Sequence, residues 1–336
     1  MKFLIAGCGS IGRRHLRNLQ ALGENDIVLY RSGYGTMPAD ELAQFPAESD
    51  LERALGHRPD AVIISNPTAL HLQVAIPAVE AGCHLLLEKP VSHTMDGVDR
   101  LLASVAKTGV RVCVGFQYRF HPGLGRLRQW LLEGAIGRPV AARASYGDYL
   151  PGWHPWEDYR QSYSARGDLG GGAILTLCHP LDYLRWMLGE VESVWASAAN
   201  LGGMGIDVDD TAEIVLRFAG GVLGAVHLDL VQRPPSHSLE VIGTGGTLRW
   251  DQADGTARIF RTDVGSWEDY QPPSAFERND MFLAEMQNFV QVCRGEAQPV
   301  CSLADGIAAL RLSLAAQISA WADGSVSPAG LHPGQH

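Results

Sequence analysis

The 336-residue chain has no long apolar run, no cluster of basic residues and no closely paired cysteines, and each absence excludes a class of function. No stretch approaches the roughly 20 apolar residues that cross a bilayer, so no membrane role is expected. Lys and Arg number 27 against 37 Asp and Glu, and the net charge of −10 repels nucleic acid and anionic surfaces unless a local basic run reverses it. No such run exists, so nucleic acid is not an expected partner. The six cysteines (Cys8, Cys83, Cys113, Cys178, Cys293, Cys301) include no CxxC pair. They read as reduced thiols rather than a disulfide frame or a zinc site, and no metal is expected. Met1-Lys2 leads directly into the short run Phe3–Gly7, which lacks the length of a signal peptide, and the expected location is the cytoplasm. Repeats and low-complexity segments are also lacking.

What is present is a chain too long for one ordinary core, with 46% hydrophobic residues to fill two. The first third alternates β-branched or Leu-rich runs (Lys2–Gly7, Ile27–Tyr30, Asp60–Ser65, His84–Glu88, Arg111–Gly115) with helical patterns at Ile11–Leu22, Leu70–Ala81 and Met95–Lys107. That alternation predicts βαβ units and a doubly wound parallel sheet. Beyond Phe120 the pattern changes to a helix at Pro122–Glu133, a strand at Pro139–Tyr149, a helix at Ala173–Leu188 and six further strands between Val191 and Arg261. Helices at Glu277–Arg294 and Leu303–Ala322 follow. The expected organisation is an α/β first domain over residues 1–120, an α+β second domain with a large, mostly antiparallel open sheet over 121–325, and a flexible tail over 326–336.

Gly7-Cys8-Gly9-Ser10-Ile11-Gly12 is a GxGxxG that follows the first strand and opens the first helix. In that setting the glycines make the turn, admit a pyrophosphate to the helix N-terminus and let helix and sheet close together. Ser10 and Ile11 belong to the same turn. An NAD site carries Asp or Glu about 20 residues on, to hold the ribose 2′-hydroxyl. Here the second strand ends Tyr30-Arg31-Ser32, where Arg31 offers donors to a 2′-phosphate and Ser32 a hydroxyl. NADP is therefore the favoured cofactor and NAD the alternative.

Strand four ends in Glu88-Lys89-Pro90, and ligands of such sheets bind at the carboxyl ends of the strands. An ammonium at that end can hydrogen-bond a substrate oxygen as it gains negative charge. Farther on, Gly170-Gly171-Gly172 opens a helix that places His179 and Asp182 three apart on one face. Imidazole titrates near neutrality and suits the proton that accompanies hydride transfer; Asp182 could orient it or touch substrate.

These motifs, together with Asn66-Pro67-Thr68 and His71 and with Tyr118-Arg119-Phe120, occur in the order seen in the glucose-fructose oxidoreductase/inositol dehydrogenase/rhizopine catabolism (Gfo/Idh/MocA) family, which the chain resembles over nearly its whole length. The resemblance implies an N-terminal Rossmann domain and NAD(P)-dependent oxidation or reduction of sugars, inositols or related compounds. It further implies a C-terminal sheet that joins subunits into a homodimer or homotetramer. Lys89 is similar to the family's catalytic lysine and His179 to its catalytic histidine. Asn66, Pro67, Thr68, His71, Glu88, Lys89, Gln117 and Arg119 fall on the cofactor side; Lys89, Tyr118, Thr176 and His179 fall on the substrate side. Many members carry an Asp one turn before the histidine, where this chain has Thr176, with one residue fewer before His179. Either Lys89 and His179 suffice, or Asp182 takes part of that role, or the activity is altered or lost.

Between the motifs, Tyr149, Trp153, His154, Trp156 and Tyr159 gather flat amphipathic rings suited to the apolar face of a pyranose or inositol. Arg160 and Arg166 add anchors for a carboxylate or phosphate. The same aromatics would equally suit a packed interface. Two other functions compete with a sugar or polyol dehydrogenase: a glycosidase that retains NAD for transient oxidation, and a non-catalytic dinucleotide sensor.

Overall fold

A computed structural model describes residues 1–31, 33, 40–332 and 334. Apolar runs in the first third become β1 (Lys2–Ala6), β2 (Asp26–Tyr30), β3 (Ala47–Glu48), β4 (Ala61–Ile64), β5 (His84–Glu88) and β6 (Val112–Gly115). They pair in the order β3-β2-β1-β4-β5-β6, all parallel. That is the doubly wound dinucleotide order, with its switch between β1 and β4. Every residue of β4 and β6 is buried, as strands covered on both faces must be. The connecting helices are α1 (Ser10–Ala21), α2 (Leu51–Gly56), α3 (His71–Glu80) and α4 (Val98–Thr108). α2 and β3 were not anticipated, because six and two residues are too few to show a period.

After Gln117 the chain forms α5 (Pro122–Leu132), β7 (Pro139–Gly147), α6 (Ala173–Thr176) and α7 (His179–Leu188). Seven strands follow: β8 (Val191–Ala199), β9 (Thr211–Phe218), β10 (Leu223–Asp229), β11 (Ser236–Gly243), β12 (Gly246–Asp251), β13 (Ala257–Arg261) and β14 (Ser266–Tyr270). With β7 they make an eight-stranded sheet, β14-β13-β12-β11-β7-β10-β9-β8, antiparallel except where β10 lies parallel to β7. Strict alternation of buried and exposed residues along β9 marks one covered face. The last helices are α8 (Arg278–Arg294) and α9 (Leu303–Ala322).

The structure corrects four expectations. First, the chain divides into Met1–Gln117 with Arg278–Ile307, and Tyr118–Glu277 with the residues from Ala308 on, so 121–325 is not one continuous domain. The cause is apolar: Met286, Phe289, Val290 and Val292 of α8 join Phe3, Ile5, Leu16 and Leu19 in one buried cluster, with the rings of Phe3 and Phe289 edge-on at 6.5 Å. Second, the helix expected over Ala173–Leu188 is two, broken at Leu177-Cys178, so Thr176 ends one helix and His179 begins the next. Third, β14 escaped notice because all five of its residues are exposed and no alternation can appear. Fourth, the tail is tied down at its start: Val326 exchanges two 2.8 Å backbone hydrogen bonds with Val194, and Pro328 and Leu331 are buried.

Candidate functional site

In the first unit the glycine turn is built for a phosphate. Gly7 has φ +95°, and a Cβ there would lie 2.5 Å from the backbone nitrogen of Asn66. A Cβ on Gly12 would lie 2.0 Å from the Gly7 carbonyl, so only glycine lets α1 approach the sheet this closely. A Cβ on Gly9, by contrast, would meet nothing within 4 Å among the described residues. α1 begins there with no side-chain cap and no acidic residue in its first turn, which leaves its leading amides and its positive dipole end for an anion. Ser10 and Ile11 occupy that first turn. Arg31 stands half-buried at the end of β2, its amide bonded to the Glu48 carbonyl; Ser32 lies outside the described residues.

The ends of β4 and β5 are tied together by one ring. His71, buried at the start of α3, sets Nδ1 2.9 Å from the Pro90 carbonyl and Nε2 3.0 Å from that of Asn66. Burial holds this histidine below its ordinary pKa, against the pull of Glu88 and of the carbonyls. Pro67 and the buried Thr68 shape the same turn, and Asn66 Oδ1 is a buried oxygen with no protein donor. Half-buried Lys89 is thus fixed through its neighbours. Glu88 accepts a 3.3 Å bond from the Lys89 amide and lies 2.8 Å from His15 Nε2. Burial alone would raise the Glu88 pKa; the hydrogen bond and charge of His15, with Lys89, outweigh it and lower it. Gln117 closes the unit, buried just beyond β6.

Glu285 on α8 completes a group the sequence did not bring together. His15, Glu88 and Glu285 each place one ligand-type atom within 4.8 Å of the others. Glu285 is 3% exposed, and neither of its oxygens has a hydrogen-bond partner among the described residues. Burial first, and the charge of Glu88 second, push its pKa well up. Glu88 is therefore the ionised member and Glu285 the neutral one. Lys89 also had an unused signal: the chain has only three lysines, Lys2, Lys89 and Lys107.

In the second unit His179 and Asp182 open α7, both buried. Both oxygens of Asp182 accept from Arg119, at 3.0 Å from Nε and 2.7 Å from Nη2. The guanidinium lies 5.6 Å from the Trp186 ring. Arg119, expected on the cofactor side, thus has its fork engaged by Asp182. A cation this buried requires such a partner. Thr176 is buried at the end of α6, whose first turn is capped by Asp209 through a 2.9 Å bond from the Ile174 amide. Burial raises the Asp209 carboxyl to about 6 despite the amides that favour its charge.

Around His179 the unit packs rings. Tyr118 meets it edge-on at 4.9 Å, and Tyr146 lies tilted at 6.2 Å. His237 stacks flat on Tyr146 at 4.1 Å and meets Tyr118 edge-on at 4.6 Å. Tyr146, His237, Gln252, Asp148, Gln232 and Ser236 also line a surface cavity. In the aromatic loop, Trp153 is half-buried with an unpartnered indole N–H, Trp156 is 59% exposed, and the Tyr159 hydroxyl donates to the Met204 carbonyl at 2.7 Å. His154 lies against Trp156, and Arg233 stacks on Tyr149 at 4.2 Å. Arg160 and Arg166 are each paired with a neighbouring carboxylate, Asp158 and Asp168, which cancels much of their value as anion anchors.

The chain matches a family model described as an oxidoreductase family with an NAD-binding Rossmann fold over residues 1–116, and a GFO/IDH/MocA C-terminal domain over 124–249. It is 30% identical to the myo-inositol 2-dehydrogenase of Thermotoga maritima over 337 residues, 95% of this chain and 96% of that protein. Against the 1,5-anhydro-D-fructose reductase of Ensifer adhaerens it is 28% identical over 76% of each. The solved structure of levoglucosan dehydrogenase in complex with NADH and L-sorbose shares the fold, with a TM-score of 0.86 at 22% identity over 97% of this chain and 98% of that one. Among the described residues, no helix is long and apolar enough to cross a membrane.

Proposed function

Because the chain belongs to the Gfo/Idh/MocA oxidoreductase family, we propose that it moves a hydride between a nicotinamide dinucleotide and a hydroxyl-bearing carbon of a sugar, inositol or related polyol. The observation that carries this reading is the uncapped, glycine-lined start of α1, a cradle suited to a pyrophosphate. The bound nicotinamide would supply the hydride acceptor. In the oxidative direction the imidazole of His179 suits uptake of the hydroxyl proton, and the Lys89 ammonium suits a hydrogen bond to a substrate oxygen that gains charge. Asp182 acts by holding Arg119 at the start of α7, and His71 and Glu88 by fixing the backbone of Lys89. Tyr118, Trp153 and Trp156 offer rings to the sugar.

Arg31, with no carboxylate at the end of β2, supports NADP over NAD. Six free thiols support a reducing, cytoplasmic setting. Trp195, Val215, Leu223 and Trp267, exposed on the second unit's sheet, support pairing with a second copy through that face.

The test is a spectrophotometric screen of myo-inositol, levoglucosan and 1,5-anhydro-D-fructose with NADP(H) and NAD(H). Net change in nicotinamide absorbance with at least one polyol, at a lower KM for the phosphorylated dinucleotide, is the expected result. Release of an aglycone with no net cofactor change, or no turnover at all, would replace the proposal.

A further inference from the structure

One exposed residue just beyond β12, Gln252, is hydrogen-bonded to both Tyr118 and His237. The Tyr118 hydroxyl donates to Gln252 Oε1 at 2.6 Å, and His237 Nδ1 lies 3.0 Å from the same oxygen. His237 Nε2 lies 3.1 Å from the Tyr183 hydroxyl. The path Tyr118–Gln252–His237–Tyr183 is therefore a continuous chain of hydrogen bonds. Gln252 is itself anchored, its amide donating 2.9 Å to the His237 carbonyl.

Both rings that face His179 hang on this chain. Tyr118 is bonded to it directly, and Tyr146 is stacked flat on His237. His237 and Tyr183 are buried, with Trp250 against the His237 ring at 5.0 Å, so neither can turn to seek another partner. Burial drives the His237 pKa down to about 3, against the Gln252 bond and with a smaller push from His121, so the ring stays neutral and needs one donor and one acceptor. Tyr183, its pKa raised well above the usual value by burial, keeps its hydroxyl proton and supplies the donor. Gln252 supplies the acceptor, and one oxygen serves both His237 and Tyr118.

We propose that Gln252 is a positioning residue for His179: by bridging Tyr118 and His237 at one oxygen, it fixes the aromatic wall against which the His179 imidazole is oriented. That this orientation matters for turnover rests on the proton-transfer role proposed above; the orientation itself does not. Nothing in the sequence marks Gln252, which lies 73 positions from His179 by number (252 against 179) and carries no motif.

The experiment uses the full chain with 13C-labelled histidine, the His179 Cε1–H signal being assigned by its loss in His179→Asn. Gln252→Met keeps length and removes the bridge; Tyr118→Phe keeps the ring and removes only the hydroxyl. Since Gln252 is exposed, its variant should fold, and Tyr118→Phe provides an independent second test. Both variants should move the His179 signal and shift its titration midpoint by about half a unit. With myo-inositol as the probe, kcat should fall about tenfold at an unchanged KM for dinucleotide. A His179 signal and titration identical to wild type in both variants would overturn the proposal. If the signal moves but the wild-type protein turns over no polyol, the positioning role stands and the functional reading falls.

Discussion

Lys89 and His179 carry comparable parts of the proposed reaction, but they are held by different means. Lys89 stands at a strand end, and what fixes it is mostly backbone: the carbonyls gripped by His71 and the amide bonded to Glu88. His179 stands among side chains drawn from the turn before α5 (Tyr118), β7 (Tyr146), the start of β11 (His237) and the residue after β12 (Gln252), none of them near it in sequence. A group fixed by backbone inherits its position from the sheet. One fixed by side chains depends on each neighbour, and substitution should separate the two cases.

The largest effects should fall on activity. Lys89→Ala and His179→Ala should each lower kcat about a thousandfold, roughly 4 kcal/mol, in the cofactor-linked assay. Lys89→Ala should leave the melting temperature near that of wild type, since the lysine is only half-buried. The next effect should fall on stability, and only in the second unit. Asp182→Ala strands the buried Arg119 guanidinium and should cost about 3–5 kcal/mol in urea unfolding. Unchanged stability would show that the second unit tolerates loss of this ion pair.

Acid should act through buried histidines. Burial lowers His237 to about 3 and His121 to about 4, from 6.5. Both are bases kept neutral by the fold, so their stabilisation is complete above pH 6.5 and is lost as pH falls through the folded values. At pH 5 each should have removed about 2 kcal/mol relative to pH 7. Asp209 works the other way: its folded value of about 6 lies above the ordinary 3.8, so its contribution grows as pH falls and returns roughly 1 kcal/mol at pH 5. Buried His71 adds a loss of the same sign in the first unit. Urea unfolding at pH 7 and 5 should show a net loss that shrinks in His237→Gln; equal losses in the two proteins would refute the assignment. The smallest effect should be Arg31→Ala, which should weaken NADP about tenfold and leave NAD unchanged.

Legibility followed the same division. The glycine turn, the first five main strands and the placing of Lys89 at a strand end could be read because each depends on residues within a few positions of itself. The break at Leu177-Cys178 could not, since Ala173–Leu188 has a continuous helical pattern and only the structure shows His179 starting anew. The Arg119–Asp182 fork spans 63 positions, and Glu285 meets Glu88 across nearly three-fifths of the chain. β14 lacks any buried residue to give it a period. Short-range chemistry leaves a mark in local spacing; partners chosen by tertiary packing leave none.

The return of α8 to the first unit has a consequence for how the protein is born. Chains emerge from the ribosome N-terminus first and tend to fold unit by unit. Here Phe3, Leu19 and Ile27 must wait for Phe289 before their shared core is closed. The dinucleotide half, although made first, cannot be finished first, and its open apolar flank is where chaperones should be needed during synthesis.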